Sequence, residues 1–156
     1  MIKLKILAIG KIKEDFNKMA IKEYLKRLSK FASVEIIELE EEKIQNKSVE
    51  DILEVEGNAI LNKLANNDYL ILLDLHGKEI SSEEFALNLQ ELENKGTSPV
   101  FFAIGGTLGV SESLRKRANF RLSISQMTFT HQVTRVLLLE QIYRAFKINR
   151  NEKYHH

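Results

Sequence analysis

The chain has 156 residues, a size that suits one domain, and its 44% apolar and 29% charged residues are typical of a globular protein. The absence of Cys excludes disulfides, thiolate metal sites and Cys nucleophiles, and no apolar run reaches the roughly 18–20 residues that a membrane helix needs. The first residues lack the apolar core of a signal peptide, so we expect a cytoplasmic protein with no membrane partner.

The near-neutral total charge hides an uneven distribution along the chain. Residues 1–34 carry nine basic and three acidic side chains, residues 35–110 carry five and sixteen, and residues 111–156 carry nine and three. These blocks have net charges of +6, −11 and +6, which add to the total of +1. Two basic blocks are compatible with a polyanion partner, although blocks of sequence need not form patches on a surface.

The first half of the chain predicts two strands that alternate with two helices. An alternating and then apolar strand spans Ile2–Ile9, and apolar residues three and four apart predict an amphipathic helix over Asp15–Phe31. A second strand covers Val34–Leu39. After an acidic loop, Ser48 is expected to cap a helix that continues to Leu64.

The middle of the chain continues this alternation and adds a glycine-rich turn. A nearly continuous apolar strand, Tyr69–Leu75, is expected to end at Gly77. A helix follows from its cap at Ser81 to about Asn94, and a short strand, Pro99–Ile104, leads into the turn Gly105–Gly109.

The last third predicts a short basic helix capped by Ser111, a fifth strand over Phe120–Ile124, a loop at 125–130 and a long helix over His131–Lys147. The resulting βαβαβαβαβα order favours a single α/β domain over residues 1–156 with a mostly parallel sheet. Ligands of such sheets bind beyond the carboxyl ends of the strands.

Two segments at predicted strand ends are candidate ligand sites. The turn Gly105–Gly109 allows close backbone approach to a ligand, but it matches neither the dinucleotide-binding nor the phosphate-binding glycine motif, and a turn without a ligand is the alternative. Asp74 could accept hydrogen bonds from a ligand; alternatively, Asp74 and His76 only cap their strand.

The long last helix is apolar on nearly all sides. His131 and Arg135 share a stripe with Leu138, whereas Glu140 and Arg144 lie on the other side. Since a chain of this length can hardly cover its last helix on both sides, we expect a homodimer. The embedded charged groups need partners, either a substrate or structural ion pairs at the interface.

The tail Tyr154-His155-His156 follows this helix and could reach a polyanion or a base, or it could be disordered or a remnant of a tag. The four His are not spaced as metal ligands, so no metal is expected.

Several segments together carry a resemblance to a known family. They are Lys5–Lys11, Leu72–Ser82, Phe102–Gly109, Leu122–Gln132, Arg135–Ile148 and the terminal Tyr154-His155. The combination, which extends over essentially the whole chain, resembles the bacterial large-subunit ribosomal RNA pseudouridine N3-methyltransferases of the SPOUT superfamily.

The resemblance implies a C-terminal trefoil knot at roughly residues 100–150, a homodimer with the knot helix at its interface, and S-adenosylmethionine as cofactor. It implies an enzyme whose substrate is a pseudouridine in 23S rRNA of the assembled ribosome. Carried over by position, the cofactor site falls on Leu73, Gly105, Ile124, Ser125, Gln126, Met127, Thr128 and Phe129.

On the substrate side, Arg144, Tyr154 and His155 are the first candidates to hold the target nucleotide, with Glu140 orienting Arg144 or touching the substrate. His131 and Arg135 are further candidates, and the general base is not identified. Basic side chains that would position phosphates are Lys11, Lys13, Arg115, Lys116 and Arg117.

Two positions depart from the family pattern. Thr130 stands where a Pro is common, which puts the rigidity of the loop end in doubt, and His156 stands where Lys or Arg is common. Two other functions stay open: a non-enzymatic RNA- or ribosome-binding module, and a SPOUT methyltransferase that acts on tRNA. The lack of a separate RNA-binding domain favours a large, preassembled substrate.

Overall fold

A computed structural model describes residues 1–154. Within them the chain forms β1 (Ile2–Ile9), α1 (Asp15–Leu28), β2 (Ala32–Leu39), α2 (Val49–Leu61), β3 (Tyr69–Glu79), α3 (Ser82–Asn94), β4 (Val100–Ile104), α4 (Glu112–Arg117), β5 (Phe120–Ser123) and α5 (His131–Asn149). The predicted order of elements is confirmed.

The five strands form one parallel sheet in the order β2-β1-β4-β3-β5, which confirms the α/β prediction. The chain leaves β1 toward β2 at one edge, but it leaves β4 toward β5 at the other edge. The boundary between β1 and β4 is therefore a topological switch point, where sheets of this kind leave a crevice at their carboxyl ends.

The two faces of the sheet are buried by different helices, because alternate strand residues point to opposite sides. On one face Leu4 and Ile6 share a core with residues of α1, α3 and α5, such as Leu139. On the other face Leu7 and Ile9 pack with α2 and α4. Both faces are thus covered, as the apolar strands require.

Strand β3 does not end at Gly77, so that expectation is wrong. The strand continues to Glu79 through an irregularity at which Leu73 and Lys78 both pair with Leu122 of β5. A Cβ atom on Gly77 would lie 2.6 Å from the carbonyl oxygen of Arg121. The glycine therefore marks a bulge where two backbones approach closely.

Helix α5 is covered on two flanks by its own chain, but its outer face, which includes Val133 and Leu137, is only half-buried and belongs to neither core cluster. On one flank, Ser82 Oγ of α3 donates to Gln141 Oε1 at 2.7 Å, and Asn149 Nδ2 donates to the Ala86 carbonyl at 3.0 Å. On the other flank the rings of Phe31 and Phe146 stack at 5.5 Å. The homodimer therefore stays a prediction, with this half-buried face of α5 available to a partner.

Across residues 1–154, no helix combines the length and the apolar character needed to cross a lipid bilayer. The trefoil knot at roughly residues 100–150 stays a prediction.

Candidate functional site

A cleft of about 820 Å³ opens at the carboxyl edge of the sheet. Its walls come from the ends of β3, β4 and β5, the start of α1, and the segment from Leu122 to Thr134. Of the residues expected to hold a cofactor, Leu73, Gly105, Ile124, Ser125, Met127, Thr128 and Phe129 line this cleft. Gln126 belongs to the same loop but is not among the lining residues.

The turn Gly105–Gly109 forms one wall of the cleft. The amide of Gly109 donates to the Gly106 carbonyl at 3.1 Å, and Gly109 has a φ of 101°. A Cβ atom on Gly105 would lie 2.3 Å from the Gly109 carbonyl oxygen. The glycine at 105 is therefore required by the turn's own backbone, which shapes the wall that a ligand meets.

The loop at 124–130 forms the opposite wall and is held at both ends. Ser123 Oγ donates to the Ser125 carbonyl at 3.0 Å, and Ser125 Oγ accepts from the Met127 amide at 3.0 Å. At the far end, Thr130 Oγ1 accepts from the Val133 amide at 3.2 Å and caps α5. Thr130 thus fixes the loop end without the ring of a Pro.

Asp74 lines the cleft and has a structural role there. Its Oδ1 accepts from the His76 amide at 3.1 Å, as the strand-cap interpretation expects. Its Oδ2 accepts from Arg115 Nε and from Arg121 Nη1, both at 3.1 Å. The carboxylate therefore connects β3, α4 and β5 below the cofactor wall.

Arg135 is only 2% exposed and is not among the residues that line the cleft. Its Nη1 donates to Glu38 Oε2 at 2.6 Å and its Nη2 donates to the Gly10 carbonyl at 3.1 Å. This is the structural ion pair that the sequence left open, formed inside one chain.

His131 lies on the cleft wall at the start of α5. Its Nε2 is 4.0 Å from Glu41 Oε2, too far for a hydrogen bond, and Gly10 leaves the space between them because it has no Cβ. Burial lowers the pKa of the His131 imidazole, and the nearby Glu41 carboxylate opposes this shift. The ring is therefore neutral at pH 7 and can accept a proton.

Further along α5, Glu140, Arg144 and Tyr154 form a second group, the tail cluster. Arg144 Nη2 and Nε donate to the two Glu140 oxygens at 2.9 and 3.2 Å, and the Tyr154 hydroxyl donates to Glu140 Oε1 at 3.0 Å. The guanidinium lies 4.9 Å from the Tyr154 ring centroid. Burial, assisted by hydrogen bonds to Tyr24 and Glu140, raises the pKa of the Tyr154 phenol, which stays protonated.

The tail cluster and the cleft are far apart within one chain. His131 and Arg144 are 13 positions apart on α5, which separates them by about 20 Å along the helix axis at 1.5 Å per residue. His155 lies outside the described residues. The structure thus brings His131 to the cleft and groups Glu140, Arg144 and Tyr154 elsewhere.

Two carboxyl groups beside the glycine turn were not predicted from the sequence. Glu41 Oε1 accepts from Thr107 Oγ1 at 2.8 Å, and Glu56 Oε2 accepts from the Glu42 amide at 2.9 Å. Glu56 sits four residues from both Ile52 and Ile60, on the buried stripe of α2. A carboxyl group in an apolar stripe is the signal that could have identified it. Among the residues that the structure describes, no cluster of His, Asp and Glu could hold a metal ion.

Comparison with known proteins gives a consistent result. A family described as "Predicted SPOUT methyltransferase" matches residues 2–155. A protein named ribosomal RNA large subunit methyltransferase H from Bacillus cereus is 51% identical over 97% of this chain and 98% of its own length. The proteins of the same name from Clostridioides difficile and Bacillus anthracis are 48% and 51% identical over the same shares.

Proposed function

The chain belongs to the SPOUT methyltransferase family, and from that premise we propose that it methylates N3 of a pseudouridine in 23S rRNA of the assembled ribosome. Its methyl donor is S-adenosylmethionine. The observation that carries the proposal is the cleft, because seven of the eight residues expected to hold the cofactor line it together. A ribosomal substrate would keep the protein in the cytoplasm.

The cleft suits this cofactor in size and in chemistry. Its volume of about 820 Å³ lies within the range of small-molecule sites. Leu73 and Ile124 offer apolar walls for an adenine ring, while the backbone of the glycine turn and of the loop at 124–130 offers hydrogen bonds without charge. When bound, S-adenosylmethionine supplies an electrophilic methyl group on its sulfonium sulfur.

The chain's own residues must align the target base and assist the loss of its N3 proton. His131 is the proton acceptor that we propose, because it is on the cleft wall and its lowered pKa keeps it neutral. The guanidinium of Arg144, oriented by Glu140, would stabilise the negative charge that develops on the ring. Tyr154 and His155 would hold the nucleotide, and Arg135 would serve structure alone.

These roles require a homodimer in which the tail cluster of one protomer faces the cleft of its partner. One chain leaves about 20 Å between the two groups, and methyl transfer needs them at one place. Phe16, Met127 and Phe129 line the cleft with exposed apolar side chains, and Met19 is exposed on the next turn of α1. Contiguous exposed apolar side chains are typical of an interaction surface.

The decisive experiment offers labelled S-adenosylmethionine and either assembled ribosomes, separated subunits or tRNA to the protein, followed by mass spectrometry of the nucleosides. We expect N3-methylpseudouridine in 23S rRNA from assembled ribosomes alone. Methylated tRNA would establish the tRNA-modifying alternative. A protein that binds ribosomes but does not bind S-adenosylmethionine would be the non-enzymatic binding module.

A further inference from the structure

A polar groove, the edge groove, runs along the outer edge of the sheet beside the cleft and has a volume of about 450 Å³. It is lined by His76, Gly77, Lys78, Arg115, Ala118, Asn119, Phe120 and Arg121. Three of these described residues are cationic and none is acidic. The groove therefore has the charge that an anionic ligand requires.

The arginines of the edge groove are fixed from below by Asp74, whose side chain is 2% exposed. One oxygen of this carboxylate accepts from both guanidinium groups, so a single negative charge serves two cations. Arg115 also contacts the exposed Glu112 at 3.6 Å, a surface pair that stabilises little. A guanidinium has five N–H donors, so both arginines keep donors for a ligand while Asp74 fixes their direction.

The bulge in β3 brings Lys78 into this group. Because Leu73 and Lys78 both pair with Leu122, Lys78 lies across from the residue that follows Arg121. The bulge depends on Gly77, at which a Cβ atom would meet the Arg121 carbonyl oxygen at 2.6 Å. The irregularity thus directs a lysine to the same groove as the two arginines.

The edge groove adjoins the cofactor cleft. His76 and Arg115 line both the groove and the cleft, so a ligand in one meets a ligand in the other at these two side chains. A polynucleotide that places one base in the cleft would therefore continue its backbone along the groove.

We propose that the edge groove binds phosphodiester groups of the RNA substrate beside the nucleotide that is methylated. Arginines held in a fixed direction match phosphate oxygens geometrically, and Lys78 adds a point charge. Such contacts set the position of the strand and read no base. This inference rests on the proposed function and names Lys78 and Arg121 as its substrate-positioning residues.

The test measures the affinity for assembled ribosomes between 50 and 200 mM KCl at fixed Mg²⁺ for the wild type and for Lys78→Gln, Arg121→Gln and the double variant. Each lost phosphate contact should lower affinity about fivefold at 0.1 M salt and make the slope of log affinity against log salt shallower by about 0.7. The matched control is Lys95→Gln, since Lys95 is an exposed lysine at the end of α3 that is not among the residues lining the groove.

The affinity for S-adenosylmethionine, measured by calorimetry, should be the same in all variants. A double variant that binds ribosomes with the affinity and salt slope of Lys95→Gln overturns the proposal. A loss of cofactor affinity parallel to the loss of ribosome affinity also overturns it, because the residues would then act through the cleft. Ribosome binding without methylation by the wild type would refute the proposed function. The ribosome affinities and salt slopes of the wild type and the variants would still test the groove. No ribosome binding by the wild type overturns both.

Discussion

Glu56 is a carboxyl group on the apolar stripe of α2 and is only 5% exposed. One oxygen accepts from the Glu42 amide, but Oε1 has no hydrogen-bond partner and faces Gly106 of the glycine turn. Burial is the main cause that raises the pKa of this carboxyl, and Glu41 and Glu42 add to it. Glu56 therefore holds the loop after β2 through its bond to the Glu42 amide, but ionisation of its buried carboxyl group lowers the free energy of unfolding.

We expect Glu56→Gln to remove a pH dependence of stability. Because the pKa of Glu56 is higher in the folded than in the unfolded chain, its favourable contribution is full below the unfolded value of 4.5 and is lost as the pH rises through the folded value. Glutamine cannot ionise and keeps an oxygen for the Glu42 amide. Thermal unfolding at pH 5 and pH 8 should show a smaller difference for Glu56→Gln than for the wild type. The control is Glu54→Gln on the exposed side of α2, and an equal change there would contradict this account.

Arg144→Lys should separate substrate handling from cofactor binding. Lysine loses the two bonds to Glu140 and the guanidinium over Tyr154, so the tail cluster loses its geometry. We expect the single-turnover methylation rate to fall about 100-fold, as for a misplaced positioning group, with unchanged S-adenosylmethionine affinity. Arg150→Lys is the matched control, since Arg150 contacts the Phe31 ring near the end of the same helix. Equal losses in the two variants would refute the assigned role of Arg144.

At the scale of elements, the glycine turn offers the sharpest test of the cleft. In Gly105→Ala the new Cβ would meet the Gly109 carbonyl at 2.3 Å and the Val110 side chain at 2.9 Å, so the turn must shift. We expect S-adenosylmethionine affinity to fall at least about tenfold, a cost of about 1.4 kcal/mol. Gly96→Ala, with a φ of 73° and open space around its Cβ, controls for the loss of stability alone. Similar cofactor affinities for the two variants would show that the glycine turn does not form part of the cofactor site.

The elements themselves were largely readable from the sequence because their signals are local. Each predicted helix cap accepts a hydrogen bond from an amide in the first turn of its helix, and these caps are Ser48, Ser81, Ser111 and Thr130. The end of β3 was misplaced, because a bulge depends on the partner strand. The sequence shows the glycine at position 77 but not the Arg121 carbonyl beside it.

The site was readable only in part, for the same reason. Strand ends of a parallel sheet share an edge, so the end of β3 and the turn at Gly105 could be joined from the predicted topology. The loop at 124–129 was added by the family resemblance alone. The partners of Asp74 are 41 and 47 positions away along the chain, and Arg135 pairs with Glu38 at 97 positions. Ion pairs between residues so far apart leave no periodic pattern in the sequence. Glu56 does lie within a periodic pattern, the apolar stripe of α2, but it was not predicted.

At the scale of the molecule, folding joins the two basic ends of the chain. Helix α1 of the first block packs beside α5 of the last, where the Arg27 guanidinium lies 5.7 Å from the Tyr143 ring and that of Arg150 lies 4.6 Å from the Phe31 ring. The acidic middle block includes α2 and α3. Folding thus brings the two basic blocks of the +6, −11, +6 pattern into contact within one chain.

The proposed dimer makes a prediction about mixtures of variants. Each composite site would take its cleft from one protomer and its tail cluster from the partner. Gly105→Ala damages the cleft and Arg144→Ala damages the tail cluster, so neither homodimer has an intact site. In a mixed dimer, however, the intact cleft of the Arg144 variant faces the intact tail cluster of the Gly105 variant.

Co-expression with different affinity tags should therefore restore activity that each variant alone has largely lost, when the assay holds S-adenosylmethionine below the Kd of the Gly105 variant. Random pairing makes about half of the dimers mixed, and each has one intact site of two, so roughly a quarter of the wild-type methylation rate is expected. Tandem affinity purification of the mixed dimer should raise this to about one half. If each site were built within one chain, every protomer in the mixture would carry one defect, and no pairing could restore the rate. Sedimentation of the wild type as a monomer at micromolar concentration would contradict the dimer itself, and the distance of about 20 Å along α5 would then have to be closed within one chain.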